Sequence, residues 1–331
     1  MRILVTGGAG FIGSHLVDAL LDRGDEVWAL DNLSTGGVGN LEHRLGEPRF
    51  HLRVDSILDA AVVDGLVAQV DTVYHLAAAV GVKYIVNDPL GSIRTNVSGT
   101  EHVLESAYRH WKRVVIASSS EIYGKSRGEP LKETDDRVLG PTAINRWSYA
   151  AAKAIDEHFA YAYHQQGLPV SVVRFFNCYG PRLHELGYGS VIANFTRQAL
   201  AGEPLTVHGD GTQTRCFTYV SDTVRGTLLA GEHPEALGEA FNIGSENEIS
   251  IAELAELVRE IVGGDSEIVR MPYRDYYGHS YEDTPRRRPD TRKSRERLGF
   301  SAEIGLRQGL SQTIAWCREN YAAARARTAG Q

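Results

Sequence analysis

The chain has 331 residues, with 42% hydrophobic and 23% charged side chains, 34 glycines and 11 prolines, a composition that excludes long disorder and supports a sizeable core split into two lobes. Its 35 basic residues against 42 acidic ones leave a net charge of -7, and with a pI near 6.0 no global attraction for nucleic acid or membrane phosphates is expected. Cys178, Cys216 and Cys317 form no CxxC pair and the 12 histidines form no HExxH, so neither a disulfide framework nor a metal site is expected. An anionic ligand would therefore need local arginines.

Met1 leads directly into an apolar strand with no basic region or cleavage site, and no apolar span approaches the ~18 residues of a membrane helix, which reads as a cytoplasmic protein. Short apolar runs at Arg2–Thr6, Glu26–Leu30, Phe50–Val54, Thr72–His75, Val114–Ser118 and Val170–Arg174 alternate with stretches at helical spacing, Phe11–Leu21, Ile57–Gln69, Pro89–Tyr108 and Ser148–Gln166. This alternation predicts an α/β fold with a doubly wound parallel sheet. After Asn177 glycine-rich loops surround shorter elements, with helices near Val191–Ala201 and Ile251–Val262. The reading is a first domain over 1–176, rejoined by a returning segment at about 217–243, and a smaller α/β lobe from 177–216 and 244–331. From Tyr321 onward a fraying helix and then disorder are expected.

Gly7-Gly8-Ala9-Gly10-Phe11-Ile12-Gly13 follows a strand and opens a helix, the setting in which spaced glycines let backbone amides approach a pyrophosphate. Asp31, followed by Asn32, ends the second strand, where an acid grips a ribose 2′-hydroxyl. Its carboxylate would repel a 2′-phosphate, so the cofactor expected is NAD rather than NADP. Tyr149 and Lys153 lie four apart on one helical face, and a lysine beside a phenol lowers its pKa of about 10 towards neutrality. Ser118-Ser119-Ser120-Glu121 ends a predicted strand on the ligand-binding edge of the sheet.

Together with Tyr74-His75-Leu76-Ala77-Ala78 and the run from Arg174 to Arg182, these motifs resemble those of the extended short-chain dehydrogenase/reductases that modify nucleotide sugars, over almost the whole chain. The resemblance implies a Rossmann-type domain in which Leu76, Ala77, Ala78 and Asn96 line the NAD site and Asp55 meets the adenine. It implies a hydride-transfer triad of Ser119, Tyr149 and Lys153. It also implies that Asn177, Arg182 and Arg215 meet the nucleotide sugar, and that the two long helices pair across a homodimer.

All members of that group begin by oxidising C4, so the triad alone does not choose among epimerase, dehydratase and decarboxylase. Ser119-Ser120-Glu121-Ile122-Tyr123-Gly124 resembles the motif of uronic-acid decarboxylases, though a mannose-nucleotide dehydratase shares its Ser-Glu pair. Tyr276–Asp283, including Tyr281, and the following Arg286-Arg287-Arg288-Pro289-Asp290 resemble the segment that supplies a catalytic arginine in UDP-glucuronic acid decarboxylases, with Arg287 in that position. Arg146 resembles an active-site arginine of the same subgroup. The implied reaction is NAD-dependent decarboxylation of UDP-glucuronate, with Ser120, Glu121 and Arg287 at the carboxylate. The competing readings are a 4-epimerase, a 4,6-dehydratase, an NAD-sensing regulator without chemistry and, for the arginines, a solvated basic loop.

Overall fold

The computed structural model describes residues 1–81, 88–125, 130–183, 190–272 and 284–329. The first half alternates β1 (Arg2–Thr6), α1 (Phe11–Asp22), β2 (Glu26–Asp31), β3 (Phe50–Val54), α2 (Ala60–Val67) and β4 (Thr72–His75). It continues with α3 (Pro89–Arg109), β5 (Arg113–Ser119), α4 (Arg146–Gln165) and β6 (Val170–Phe175). Then come β7 (Cys178–Tyr179), α5 (Val191–Ala201), β8 (Leu205–His208), β9 (Thr214–Cys216), β10 (Thr218–Tyr219), α6 (Val220–Glu232) and β11 (Ala240–Ile243). The remainder is β12 (Glu248–Ser250), α7 (Ile251–Val262), β13 (Ile268–Met271), β14 (Arg286–Arg287), α8 (Arg292–Leu298) and α9 (Leu306–Ala329).

The main sheet has seven parallel strands in the order β11-β6-β5-β4-β1-β2-β3. The order in which strands are added reverses at β1, between β2 and β4, so the crevice at the carboxyl ends of β1 and β4 is the place for a ligand. Ile3, Leu4 and Val5 are fully buried because helices cover both faces, and such strands carry continuous apolar runs. Leu16, Val17 and Leu20 of α1 pack one face with Val224 and Phe241, while Val63, Val67, Val103 and Leu104 pack the other. Strand β11, far along the chain, closes the edge beside β6.

Helix α2 starts at Ala60 rather than Ile57 because the Asp59 carboxylate accepts from the amides of Ala61 and Val62, at 3.0 and 3.1 Å, and sets the N-terminus there. Helix α7 begins with a capping box between Ser250 and Glu253 and ends on left-handed Gly263. In α9 the backbone stays helical through Thr328 and Ala329, where fraying and disorder were expected; its Ala and Arg run consists of strong helix formers. Strand β9 is flanked by β12 and β14, which sets Arg287 opposite Arg215. Among the described residues no helix is long and apolar enough to cross a membrane.

Candidate active site

One cavity of about 380 Å³ opens at the carboxyl ends of the central strands, lined by the glycine turn, Asp31, the end of β4 and the end of β5. Gly7 has φ +70°, and a Cβ there would lie 2.8 Å from the Ala77 nitrogen, so only glycine lets β1 and β4 approach. Gly10 caps α1 without a side-chain bond, and no acid occupies the first turn, which leaves the helix N-terminus open to a phosphate. A Cβ on Gly13 would meet the Gly7 carbonyl oxygen at 2.0 Å. Gly13→Ala is therefore expected to destabilise the fold by about 1–3 kcal/mol, read as a lower denaturant midpoint.

Asp31 is buried, its carboxylate accepting from the amides of Ala9 at 2.9 Å and Leu33 at 2.8 Å. Burial pushes its carboxyl up, opposed by those amides. Asn32 and Asp55 line the same end of the cavity, with Asp55 steadied by the Ser56 amide at 2.9 Å and Arg53 at 2.8 Å. Gly7, Gly10, Phe11, Ile12 and Gly13 sit on one wall and Leu76, Ala77 and Ala78 on the opposite one. An open helix N-terminus and a buried acid at the two ends of one glycine-walled slot fit a dinucleotide.

Asn96, expected to line this slot, is wholly buried and absent from its wall, which Thr95 forms instead. The Asn96 side chain bonds the backbone of Ala79, accepting from its nitrogen at 2.7 Å and donating to its oxygen at 3.1 Å. It shapes the wall through that backbone.

The triad residues meet at the inner end. Ser119 closes β5, its hydroxyl accepts from the Glu121 amide at 3.2 Å, and the Tyr149 hydroxyl is hydrogen-bonded to it. Lys153, one helical turn beyond Tyr149, is buried with its ammonium 3.1 Å from Asp156 Oδ2. Burial raises the Tyr149 pKa more than Lys153 lowers it, with Glu121 adding to the rise. Lys153 thus pulls the phenol down, as expected of a neighbouring ammonium, against the opposing effect of burial. Asp156 was not anticipated, although its i,i+3 spacing from Lys153 was visible in the sequence.

The 3₁₀ turn Ser120–Tyr123 aims Glu121 at a group of arginines. Arg287 Nη1 donates to Glu121 Oε1 at 2.5 Å, and Arg146 Nη2 lies 3.4 Å from Oε2. Burial favours the neutral acid, but the charges of Arg287 and Arg146 outweigh it and bring Glu121 down to about 2. The Arg287 side chain is only 5% exposed, with Nη2 donating to Thr284 at 2.9 Å. Arg286 instead makes two 2.7 Å bonds to Glu248. Strand alternation thus splits the arginine run, sending its middle member into the cavity, which a solvated basic loop would not do.

Arg215 is buried behind this group, donating to the Thr214 carbonyl at 2.7 Å; it does not line the cavity, but its charge reaches Glu121. Asn177 does line it, with Nδ2 donating to the Cys216 carbonyl at 2.9 Å. Arg182 pairs with Asp18 of α1 at 2.7 Å and is not among the residues that line this cavity. Tyr281 lies outside the described residues. Phe175 and Cys178 were missed and line the cavity; burial pushes the Cys178 thiol up to about 12, which makes it a wall rather than a nucleophile.

Residues 4–313 match the family described as GDP-mannose 4,6 dehydratase. The chain belongs to the GDP-mannose 4,6 dehydratase family, among the NAD-dependent epimerases and dehydratases. Within this family it is 45% identical over 318 residues to a UDP-N-acetyl-alpha-D-glucosaminuronate decarboxylase of Bacillus cytotoxicus, covering 96% of this chain and 98% of the relative. It is 39% identical over 315 residues to UDP-glucuronic acid decarboxylase 1 of Arabidopsis thaliana, covering 95% and 69%. The crystal structure of UDP-glucuronic acid 4-epimerase from Bacillus cereus, in complex with UDP-glucuronic acid and NAD, superposes with a TM-score of 0.85 at 30% identity, covering 97% of this chain and 100% of that one. Members of the GDP-mannose 4,6 dehydratase family thus share this scaffold while bearing names of different reactions.

Proposed function

We propose that the chain is an NAD-dependent decarboxylase of UDP-glucuronic acid. One observation carries the reading: a Ser-Tyr-Lys triad and a carboxylate-binding arginine open onto the same cavity. Oxidation and carbon dioxide loss can then proceed on one bound sugar. The two decarboxylase relatives support the reading, and the N-acetylated uronate named for one of them makes that sugar the second substrate to try.

The glycine turn and Asp31 would hold NAD, which would supply a hydride acceptor for C4. Tyr149 takes the proton of the 4-hydroxyl, Ser119 holds that hydroxyl, and Lys153 offsets the phenolate charge. The product of this step is a β-keto acid. Its carbon–carbon bond to the carboxylate breaks readily, because the electron pair left behind spreads onto the C4 oxygen. Arg287 clasps the sugar carboxylate in place of Glu121, and Glu121 with Ser120 guides the proton to C5. Arg146, Asn177 and Arg215 steady the nucleotide sugar. With NAD held there, return of the hydride to C4 would yield UDP-xylose; release before that would yield the 4-keto pentose. The division of labour is a 1–176 domain with the 217–243 return for NAD, and 177–216 with 244–331 for the nucleotide sugar.

Incubation with UDP-glucuronate and NAD, followed by mass analysis, tests this directly. Loss of the carboxyl mass is expected. An unchanged mass with inverted C4 would make the chain an epimerase, and loss of water a dehydratase.

Asp31 carries the cofactor preference. Asp31→Ala is expected to weaken NAD binding roughly tenfold, the worth of one hydrogen bond to a charged group, with turnover at saturating NAD nearly unchanged. Wild-type protein that binds NADP as tightly as NAD in a fluorescence titration would contradict the assignment.

A cytoplasmic homodimer paired through α3 and α4 completes the proposal. Val103 and Leu104 serve the core, while Leu90, Ile93 and Ile155 are 56%, 41% and 42% exposed on these helices. Sedimentation is expected to give a dimer at micromolar concentration, and a monomer alone would remove the claim.

A further inference from the structure

Glu121 and Arg287 face each other from segments far apart in the chain, so something must fix the distance between them. A buried side-chain amide on the edge strand does so. Asn242 is fully buried, and its Oδ1 accepts from the Tyr123 hydroxyl at 2.7 Å. Its Nδ2 donates to the Leu131 carbonyl at 2.8 Å and the Asp290 carbonyl at 3.2 Å. Tyr123 closes the 3₁₀ turn that carries Glu121. Asp290 lies three residues past Arg287, and Leu131 holds that segment by two 2.8 Å bonds, from its amide to the Arg288 carbonyl and from the Asp290 amide to its carbonyl. The backbones behind both members of the ion pair therefore end on one amide.

The same cluster reaches the triad. The Tyr123 hydroxyl also accepts from Arg174 Nη1 at 2.8 Å, and Arg174 clasps Glu157 of α4 at 2.9 and 2.6 Å, one turn beyond Lys153. Nearly all of these groups are buried, and a satisfied buried network has one geometry rather than several.

We propose that Asn242 is a positioning residue for decarboxylation, its side chain setting Arg287 against Glu121 through Tyr123 on one side and the 288–290 segment on the other. The proposal rests on the decarboxylase reading. A displacement of about 1 Å at such a contact costs on the order of 10²-fold in rate, whereas the triad, whose own supports are β5 and α4, is affected less. Asn242 is thus needed more for the second step than for the first.

Two substitutions test it. Asn242→Leu keeps the branched shape, though not the size, leaves the Tyr123 hydroxyl its bond from Arg174, and leaves the Leu131 carbonyl its bond from Asp290. Tyr123→Phe removes only the hydroxyl, and Arg174 Nη1 retains the Glu133 carbonyl at 3.1 Å. In single-turnover reactions with UDP-glucuronate, both are expected to slow carbon dioxide release about tenfold or more while changing NADH formation less than about twofold. Parallel loss of both signals, or wild-type rates for both in folded protein, would overturn the proposal. If Asn242→Leu does not fold, Tyr123→Phe decides alone. Wild-type protein that releases no carbon dioxide would refute the functional reading instead. Amide hydrogen exchange then judges the tie itself: faster exchange at Leu131 and Asp290 in Tyr123→Phe supports it, and unchanged exchange overturns it.

Discussion

Tyr149→Phe is expected to form neither NADH nor carbon dioxide from UDP-glucuronate, with both rates falling about 10²–10⁴-fold, the worth of a positioned general base. The substitution keeps the ring and its burial and removes the one atom that takes the 4-hydroxyl proton. Lys153 keeps its bond to Asp156, and Ser119 keeps the Glu121 amide, so the site retains its shape. Carbon dioxide loss depends on the ketone at C4, and without oxidation the sugar carboxylate has nowhere to send its electrons. Stopped-flow absorbance together with trapped carbon dioxide measures both. A full NADH burst from Tyr149→Phe would show that another group is the base.

Arg287→Ala is expected to separate the two signals, with carbon dioxide release slowed roughly 10²–10³-fold, as when a charge-stabilising donor is removed, and NADH formation changed far less. The loss acts twice. The sugar carboxylate loses its fork of donors, and Glu121 loses its nearest cation, keeping Arg146 at 3.4 Å. Glu121, now less compensated, repels the incoming carboxylate and climbs from its value of about 2. Arg287→Lys should lie between wild type and alanine, since lysine restores the charge without the planar pair of donors. Should Arg287→Ala leave carbon dioxide release and substrate affinity intact, the arginine is only part of a strand and the decarboxylase reading loses its main chemical support.

What the sequence reveals and what it hides follow from the range of the interactions involved. Strands buried on both sides, such as β1 and β4, announce themselves as apolar runs, and β11 at Ala240–Ile243 is as plain as the rest. The glycine turn is legible because its spacing answers to backbone contacts within a few residues of itself, with Gly13 lying under Gly7. The pairing of Arg182 was not legible because its partner, Asp18, is 164 positions away on α1, and no local pattern predicts that choice. Asn96 was assigned to the cavity because a motif records that a position matters, not whether it acts by its side chain or through a neighbour's backbone. The Tyr149 balance was half visible: the neighbouring charge is written four residues on, but the burial that opposes it is a property of the assembled site.

The edge strand β11 also decides when the main sheet can be completed. Gly238 donates to the Val170 carbonyl at 2.8 Å, Val172 to Glu239 at 3.0 Å and Phe176 to Ile243 at 3.2 Å, so β6 is covered only by chain made some seventy residues later. A nascent chain emerging at about 5–20 residues per second exposes that unpaired margin for several seconds. An open margin of backbone donors and acceptors invites pairing with a neighbouring molecule. Fragments ending near Phe176 would keep it open permanently and should precipitate, whereas synthesis continued past Ile243 supplies the missing strand from within the same polypeptide.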